Sequence, residues 1–331
     1  MILVIAEKPS VAQSIAKVLG ATSRKDGYME GGNYIVSWCF GHLVELADAS
    51  SYDERYAKWR YDDLPIVPES WMFEVTKDKA QQFKVLSSLM KDKRVTELVC
   101  ATDAGREGEL IFRLVYDKAG CAKPFKRLWI SSLEDSAIRE GFNHLRDGKE
   151  YDRLYEAALS RSKADWIVGI NGTRLFTTLY HKKLVVGRVQ TPTLAMLVER
   201  DGKISTFQKE KYFNVHVGKG DLTADLEKVK TEEEAKRIAA ACEKKQAVVS
   251  SLKRETKTVN PPKLYDLTTL QREANRYYGF TAQQTLDLVQ TLYEKKLLTY
   301  PRTDSQFITD DMEDTARQVI SIVCRQLPLF S

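Results

Sequence analysis

The chain has 331 residues, 43% hydrophobic and 29% charged, with a formal net charge of +5 and an isoelectric point near 8.7. Such a composition describes an ordinary globular protein with room for two or three domains, and without a run of 18 apolar residues it excludes a membrane-spanning helix. The five cysteines (Cys39, Cys100, Cys121, Cys242, Cys324) are scattered, with no Cys-x-x-Cys pair; this argues against a disulfide framework or a zinc ribbon and suits a reducing cytoplasm.

The opening Met1-Ile-Leu-Val-Ile-Ala6 reads as a buried strand, since the apolar stretch is too short for a signal peptide and lacks a basic start. Glu7-Lys8-Pro9-Ser10 breaks that strand, and Val11, Ile15, Val18 and Leu19 then recur at helical spacing, with Pro9 in the first turn where proline is tolerated. The turn Gly31-Gly32-Asn33 leads into a second strand over Tyr34–Phe40, and Leu98–Asp103 is another short apolar strand. A helix starts near Gly108 with Leu110, Ile111, Leu114 and Val115 on one side. Strand–helix alternation up to about residue 148 predicts a largely parallel α/β domain.

From 150 to about 207 the spacing of Leu154, Ala158, Ala164, Ile167, Val168, Leu194, Leu197 and Val198 is helical. Residues 211–256 are mixed, with a strand expected at Tyr212–Val217, a helix over 232–245 and a strand at Ala247–Leu252. The polar Thr256–Pro262 serves as a linker. Two amphipathic helices, over 265–278 and 282–296, precede Tyr300, and one more over 309–325 closes the chain.

Tyr300 is followed by Pro301, which disfavours helix for the residue before it. In an extended segment Tyr300, Arg302 and Asp304 share a face. A phenol with a pKa of about 10 is a poor nucleophile at neutral pH; a neighbouring guanidinium favours the phenolate and can grip a phosphate. Equally, Tyr300 is one of 15 tyrosines beside an ordinary proline turn.

Two acidic motifs fall at the carboxyl ends of expected strands, where open α/β sheets place their ligands. They are Glu7-Lys8 and Asp103-Ala-Gly-Arg-Glu107. On adjacent strands Glu7, Asp103 and Glu107 would converge as hard oxygen ligands suited to Mg²⁺, with Lys8 placed to neutralise a phosphate. Each motif is also an ordinary acidic helix start. Between 174 and 203 six cations face two acids, a net +4 in 30 residues. That stretch is either a phosphate-binding surface or a solvated basic face.

Ala6-Glu-Lys-Pro-Ser10, Thr102-Asp-Ala-Gly-Arg-Glu-Gly-Glu109, Gly187-Arg-Val-Gln-Thr-Pro192 and Leu298-Thr-Tyr-Pro-Arg-Thr-Asp-Ser305 together resemble the signature segments of type IA DNA topoisomerases. Tyr52–Trp59, Asp63–Pro68 and Arg161–Arg174 resemble the bacterial topoisomerase III branch of that family. The segments occur in the family's order from residue 1 to about 305.

The resemblance implies a multidomain α/β chain: a Toprim-type, Rossmann-like parallel-sheet domain at 1–148, the first part of a basic helical domain at 149–208, the first part of a small mixed hinge domain at 209–258, and a helical tyrosine-bearing domain at 259–331. It implies a Mg²⁺ site of Glu7 and Asp103 with Glu107 in the acidic cluster, and catalytic roles for Tyr300, Arg302, Lys8 and Glu7. Tyr300 would attack a single-stranded phosphodiester and hold the 5′-phosphate as a phosphotyrosine, with Arg302 and Lys8 on either side. Trp59, Arg161, Gly169 and Val185, Val186, Gly187, Arg188, Val189 and Gln190, with Arg302, would line the single-strand groove. A glycine admits close backbone approach, and indole and guanidinium stack on bases; Trp59 as a buried core indole and Gly169 as a helix-packing glycine are the alternatives.

Two departures stand out. Where the family often reads Asp-x-Asp-x-Glu, this chain has Gly105 in the middle position, which removes one acid and argues against a second Mg²⁺. The family's chains also continue well past the tyrosine, whereas Ser331 comes about 30 residues after Tyr300, so the expectation is an N-terminal part with an incomplete gate.

The function expected is ATP-independent, Mg²⁺-dependent cleavage, strand passage and resealing, relaxing negatively supercoiled DNA or decatenating it in the cytoplasm at the nucleoid. No Gly-x-x-x-x-Gly-Lys-Ser/Thr loop occurs, in keeping with ATP independence. The alternative is a single-stranded-DNA-binding fragment that cannot complete strand passage. A Mg²⁺-dependent nuclease or primase-like module using the acids alone is disfavoured by the Tyr300 segment.

Overall fold

Strand β1 (Ile2–Ala6) sits at the centre of a seven-stranded sheet and alternates Leu3 and Ile5 toward one face with Val4 and Ala6 toward the other. Both faces are covered, which is why the strand is apolar throughout rather than alternating with polar residues. The structure is a computed structural model and describes residues 1–246, 248–295, 297–303, 305–308 and 312–326. The chain folds as two units, Met1–Arg188 with Lys263–Ser331, and Val189–Pro262.

In the first unit α1 (Pro9–Leu19) begins at once after β1, with Lys8 extended at its N-cap and Pro9 in the first turn, where its missing N–H costs nothing. Val11, Ala12, Ile15 and Ala16 are its buried stripe, and Gly20 ends it in the left-handed conformation (φ 75°). β2 (Ser23–Lys25), β3 (Tyr28–Gly31) and β4 (Tyr34–Trp38) return as antiparallel neighbours. β5 (Val44–Leu46), the short α2 (Ala49–Tyr52) and β6 (Phe73–Val75) lie outside the main sheet, with β5 and β6 antiparallel. Next come α3 (Ala80–Lys91), β7 (Glu97–Ala101), α4 (Arg106–Lys118), β8 (Phe125–Arg127), α5 (Asp135–Asn143) and β9 (Arg146–Asp147).

The sheet order is β2-β3-β4-β1-β7-β8-β9, with β4, β1, β7 and β8 parallel and both edges antiparallel. One face packs Leu3, Ile5 and Leu98 on Leu86, Leu110 and Phe112; the other packs Val4, Val36 and Val99 on Val11, Ile15 and Ile138. Truncating one such side chain to alanine costs about 2–5 kcal/mol. β1 pairs with β4 on one side and β7 on the other, so the chain turns away in two directions at their carboxyl ends and leaves a crevice there.

The 29-residue α6 (Asp152–Tyr180) packs along α4 and ends at His181 in a left-handed conformation (φ 52°). The helical pattern expected across 150–207 is therefore interrupted by a non-helical stretch before the second unit. That unit holds α7 (Gln190–Ser205), a hairpin of β10 (Phe213–Lys219) and β11 (Leu222–Val229), and α8 (Glu232–Cys242). Val215, Val229 and Ala235 form its small core.

β10 thus takes β11 as its partner across the Gly220-Asp221 loop, not the segment Ala247–Leu252. Residue 247 lies outside the described residues; 248–252 form no strand, and Val248, Val249 and Leu252 are exposed. A strand exists only where a neighbour satisfies its backbone, and β11, masked in the sequence by its charged positions, supplies that neighbour.

Back in the first unit, α9 (Leu267–Tyr278) starts at Asp266, whose carboxylate accepts from the Thr269 amide, and stops at Gly279 (φ 71°). α10 (Ala282–Glu294) opens with a reciprocal Thr281–Gln284 capping box. α11 (Glu313–Gln326) follows. Of the expected ends of these helices, residue 296 and residues 309–311 lie outside the described residues. Among the described residues no helix is long and apolar enough to cross a membrane.

Candidate active site

Glu7 directly follows β1, and Asp103 lies two residues past β7, so the crevice brings the two carboxylates together. The Asp103 amide donates to Glu7 Oε2 at 3.3 Å. Into the same place the segment after α10 delivers Tyr300, whose hydroxyl donates to Asp103 Oδ2 at 2.8 Å and whose amide reaches the Ser131 carbonyl at 3.4 Å. Tyr293 of α10 stands edge-on to the Tyr300 ring, with centroids 5.6 Å apart. Both rings pack on the sheet face formed by Val4, Ala6 and Val36.

Burial dominates the electrostatics. Glu7 is 6% exposed. Desolvation, and then the field of Asp103, raise its pKa to about 7, against the opposing pull of Lys8, the Asp103 amide and Arg302. Tyr300 is pushed well above the ordinary phenol value by burial first, then by the charge of Asp103 and the hydrogen bond to it. The same burial and the same two acids push Tyr293 up. Arg302 does act on Tyr300 in the direction expected from sequence, favouring the phenolate, but it is outweighed. The expected pull of the arginine toward the phenolate is present but outweighed: burial and Asp103 favour the protonated phenol, whose hydroxyl donates to the Asp103 carboxylate. Asp304, expected on the same face, lies outside the described residues.

Glu107 sits in the first turn of α4 and stays exposed, 3.9 Å from His42 Nε2 and 3.9 Å from Arg106 Nε. Burial lowers the His42 pKa in spite of that carboxylate. Glu7 and Asp103 are thus adjoined, while Glu107 faces His42 and Arg106; among the described residues no three His, Cys, Asp or Glu form a metal cage. Two crowded carboxylates, one of them raised to about 7, are nevertheless a pair whose repulsion a hydrated divalent cation relieves, so the donor set fits Mg²⁺. Gly105 is extended, and a Cβ there would meet nothing within 4 Å. At Gly108, by contrast, a Cβ would collide with the Asp103 carbonyl, so the turn carrying Asp103 closes only on glycine.

A second feature lies along α6. Trp59, Asp165, Trp166, Gly169, Arg174 and Val186 help to line a cavity of about 300 Å³. Trp59 is 41% exposed, which corrects the buried-indole alternative, and Arg174 lies over its ring at 5.3 Å. Arg174 is itself 3% exposed and donates to the Tyr56 carbonyl at 2.7 Å. Asn171 brackets Ile66 by accepting from its amide and donating to its carbonyl, and Trp166 Nε1 donates to the Ala47 carbonyl. These bonds fix the wall on which Trp59 stands.

Val185 and Val186 line the same cavity, the Val186 amide donating to Thr173 Oγ1 at 2.9 Å. Arg188 pairs with Asp165 at 2.8 Å and Arg161 approaches the same acid at 4.0 Å, so both cations are held by one carboxylate. A Cβ at Gly169 would make only ordinary contact with the Val186 carbonyl; the close approach belongs to Gly172, where a Cβ would press on the Val186 side chain. Gly187 follows in the same segment, while Val189 and Gln190 belong to the second unit, at the start of α7. Reading the sequence for chemistry took Arg174 only as one of the cations of a basic stretch and missed Asn171, Tyr293, Glu109 and Arg127. Arg174, Asn171 and Glu109 lie inside the recognised motifs; nothing local marks Arg127.

Residues 2–133 match the Toprim domain family and residues 149–329 match the DNA topoisomerase family. The chain is 47% identical to DNA topoisomerase 3 of Staphylococcus haemolyticus over 320 residues, 96% of this chain and 45% of that protein. With DNA topoisomerase 3 of Bacillus subtilis it shares 46% identity over 323 residues, 95% of this chain and 44% of that protein. The solved full-length topoisomerase I of Thermotoga maritima superposes with a TM-score of 0.68 at 26% identity, covering 97% of this chain and 52% of the other. The chain thus spans somewhat under half the length of the curated relatives it matches.

Proposed function

This chain belongs to the type IA DNA topoisomerases, in the topoisomerase III branch, and from that membership we propose that it cleaves and rejoins single-stranded DNA through a covalent bond to Tyr300. The observation that carries the proposal is the Tyr300 hydroxyl held 2.8 Å from Asp103 at the sheet crevice. In the proposed step Tyr300 Oη forms a bond to phosphorus, its proton passes to the Asp103 carboxylate, and the bond from phosphorus to the 3′-oxygen breaks. The 5′-phosphate stays on the tyrosine. The 3′-oxygen takes up a proton to balance the one Asp103 receives, and Glu7, whose proton affinity burial and Asp103 raise, is the proposed donor. Rejoining is the reverse, and because one phosphoester replaces another no ATP is consumed.

Arg302 and Lys8 are the cations proposed to contact the scissile phosphate, since both already act on the charge of Glu7. In their ionised forms Glu7 and Asp103, with Glu107 of the same acidic motif proposed to join them, would hold Mg²⁺, which when bound would offset the charge of the crowded carboxylates and of the phosphate. The cavity along α6 is proposed to receive a base against Trp59, and Arg161, Gly169, Val185, Val186, Gly187, Arg188, Val189 and Gln190 to contact the strand. Strand passage, relaxation of negatively supercoiled DNA or decatenation, and a place at the nucleoid are proposed for the protein on the strength of its relatives' names.

The test is direct. The protein is incubated with end-labelled single-stranded oligonucleotide and Mg²⁺, denatured and resolved by gel. A labelled adduct that disappears in Tyr300→Phe is expected; an adduct that persists in that variant sinks the assignment.

A further inference from the structure

Arg127, at the end of β8, is completely buried. An arginine is almost never inside a protein unless its donors are taken up. Here they converge on the far end of β7: Nη1 donates to the carbonyls of Cys100 at 3.1 Å, Thr102 at 2.7 Å and Leu128 at 2.8 Å, and Nη2 donates to the carbonyl of Asp103 at 2.6 Å. Its Nε lies 3.0 Å from Oε2 of Glu109, which is also completely buried. The other oxygen of Glu109 pairs with Arg113 at 2.9 Å, and Arg113 in turn reaches the Gly148 carbonyl and Asp152 at the start of α6.

We infer that Arg127, held in register by Glu109, is a positioning residue that sets the place of Asp103 relative to Tyr300 and Glu7. The inference rests on the phosphotyrosine reading above, because it assigns Arg127 a share in that chemistry. Thr102 and Asp103 have left the strand ladder, so their carbonyls need other donors; a planar fork with five donors satisfies several at fixed angles where an ammonium cannot. The turn has little other freedom. Thr102 Oγ1 donates to the Gly108 carbonyl at 2.7 Å, and Gly108 sits against the Asp103 carbonyl with no room for a Cβ. From this turn Asp103 presents its amide to Glu7 and its carboxylate to Tyr300. The buried Arg127 therefore acts on the reacting atoms through backbone, without touching them.

The variants that separate positioning from mere stability are Arg127→Lys, which keeps the charge beside Glu109 and loses the fork, and Glu109→Gln, which keeps the shape and the carbonyl contacts and loses the charge. For Arg127→Lys the adduct yield is expected to fall, and the Mg²⁺ concentration at half-maximal adduct to rise, by roughly 10–100-fold, the range for losing a partner that orients a metal ligand. Glu109→Gln is expected to change both much less while lowering the melting temperature. A crystal structure of Arg127→Lys should show Tyr300 Oη and Asp103 Oδ2 beyond hydrogen-bonding distance, on an unchanged sheet. If Arg127→Lys keeps both that contact and the wild-type Mg²⁺ midpoint, the inference is overturned. If even the wild-type protein forms no adduct, the phosphotyrosine reading falls, and the Tyr300–Asp103 contact in the variant crystal still decides the role of Arg127.

Discussion

The crevice at the end of the sheet and the cavity along α6 are built on opposite principles. In the crevice the key groups are buried and in conflict: burial and the charge of Asp103 raise the hold of Glu7 on its proton, and the same burial and the same acid favour the protonated form of Tyr300. Along α6 the key groups are mostly paired: Arg188 and Arg161 share Asp165, Arg174 donates to a carbonyl while its buried Nε has no hydrogen-bond partner among the described residues, and Trp59 stands exposed on a braced wall. Stored conflict suits a place where bonds change, because a cation or a transferring phosphate relieves it. A braced, partly exposed aromatic wall suits a place that only grips.

The sharpest way to break that contrast is Tyr300→Phe, which should abolish the covalent adduct while leaving the affinity for a single-stranded oligonucleotide, read by fluorescence anisotropy, within about twofold, since only one hydroxyl is lost. Loss of binding as large as the loss of adduct would show that crevice and grip are not separate. Trp59→Ala is the converse. Removing one base-stacking ring costs about 1–3 kcal/mol, so the dissociation constant should rise roughly 5- to 150-fold, with the adduct yield at saturating DNA unchanged. A fall in saturated yield instead would place Trp59 in the chemistry.

The next prediction concerns pH. Glu7 folds with its pKa raised from 4.5 to about 7, so between those values the folded protein binds more protons than the unfolded chain. The stability attached to Glu7 is fully present below pH 4.5 and is lost as pH rises through about 7. The whole effect is at most about 3 kcal/mol. Without divalent cation, Glu7→Gln should therefore melt higher than wild type at pH 8 and nearly equal to it at pH 4.5, and Mg²⁺ should raise the wild-type melting temperature more at pH 8 than at pH 5. A pH-independent difference between the two proteins would remove Glu7 from the conflict. The smallest effect is expected from Gly105→Asp. The position is extended with open space for a side chain, so an added acid should fold normally and lower the Mg²⁺ midpoint by about threefold through extra ligand charge.

Much of this is legible in the sequence alone. The apolar run at 2–6, the break at Pro9 and the helical spacing after it are local facts, and β1 and α1 form where those facts put them. The acids of the crevice were visible because each comes within two residues of the end of an apolar strand. The partner of β10 was not visible, because the charged, weakly patterned 222–229 carries a strand only once β10 offers it a ladder. Arg127 was not legible either, since an arginine two residues before a tryptophan looks like any surface cation until four carbonyls close around it.

By itself, then, the sequence determined the alternation of strands and helices, the placement of acids after β1 and β7, and the motifs that mark the family, all of which depend on residues near one another in the chain. Only the tertiary structure decided the surroundings of Tyr300. Tyr300 meets Asp103 across 197 residues of chain, and burial against that acid, not the arginine two positions away, sets the direction in which its proton affinity moves. Desolvation and charge act through space, and in a folded chain the nearest charge in space is seldom the nearest in sequence.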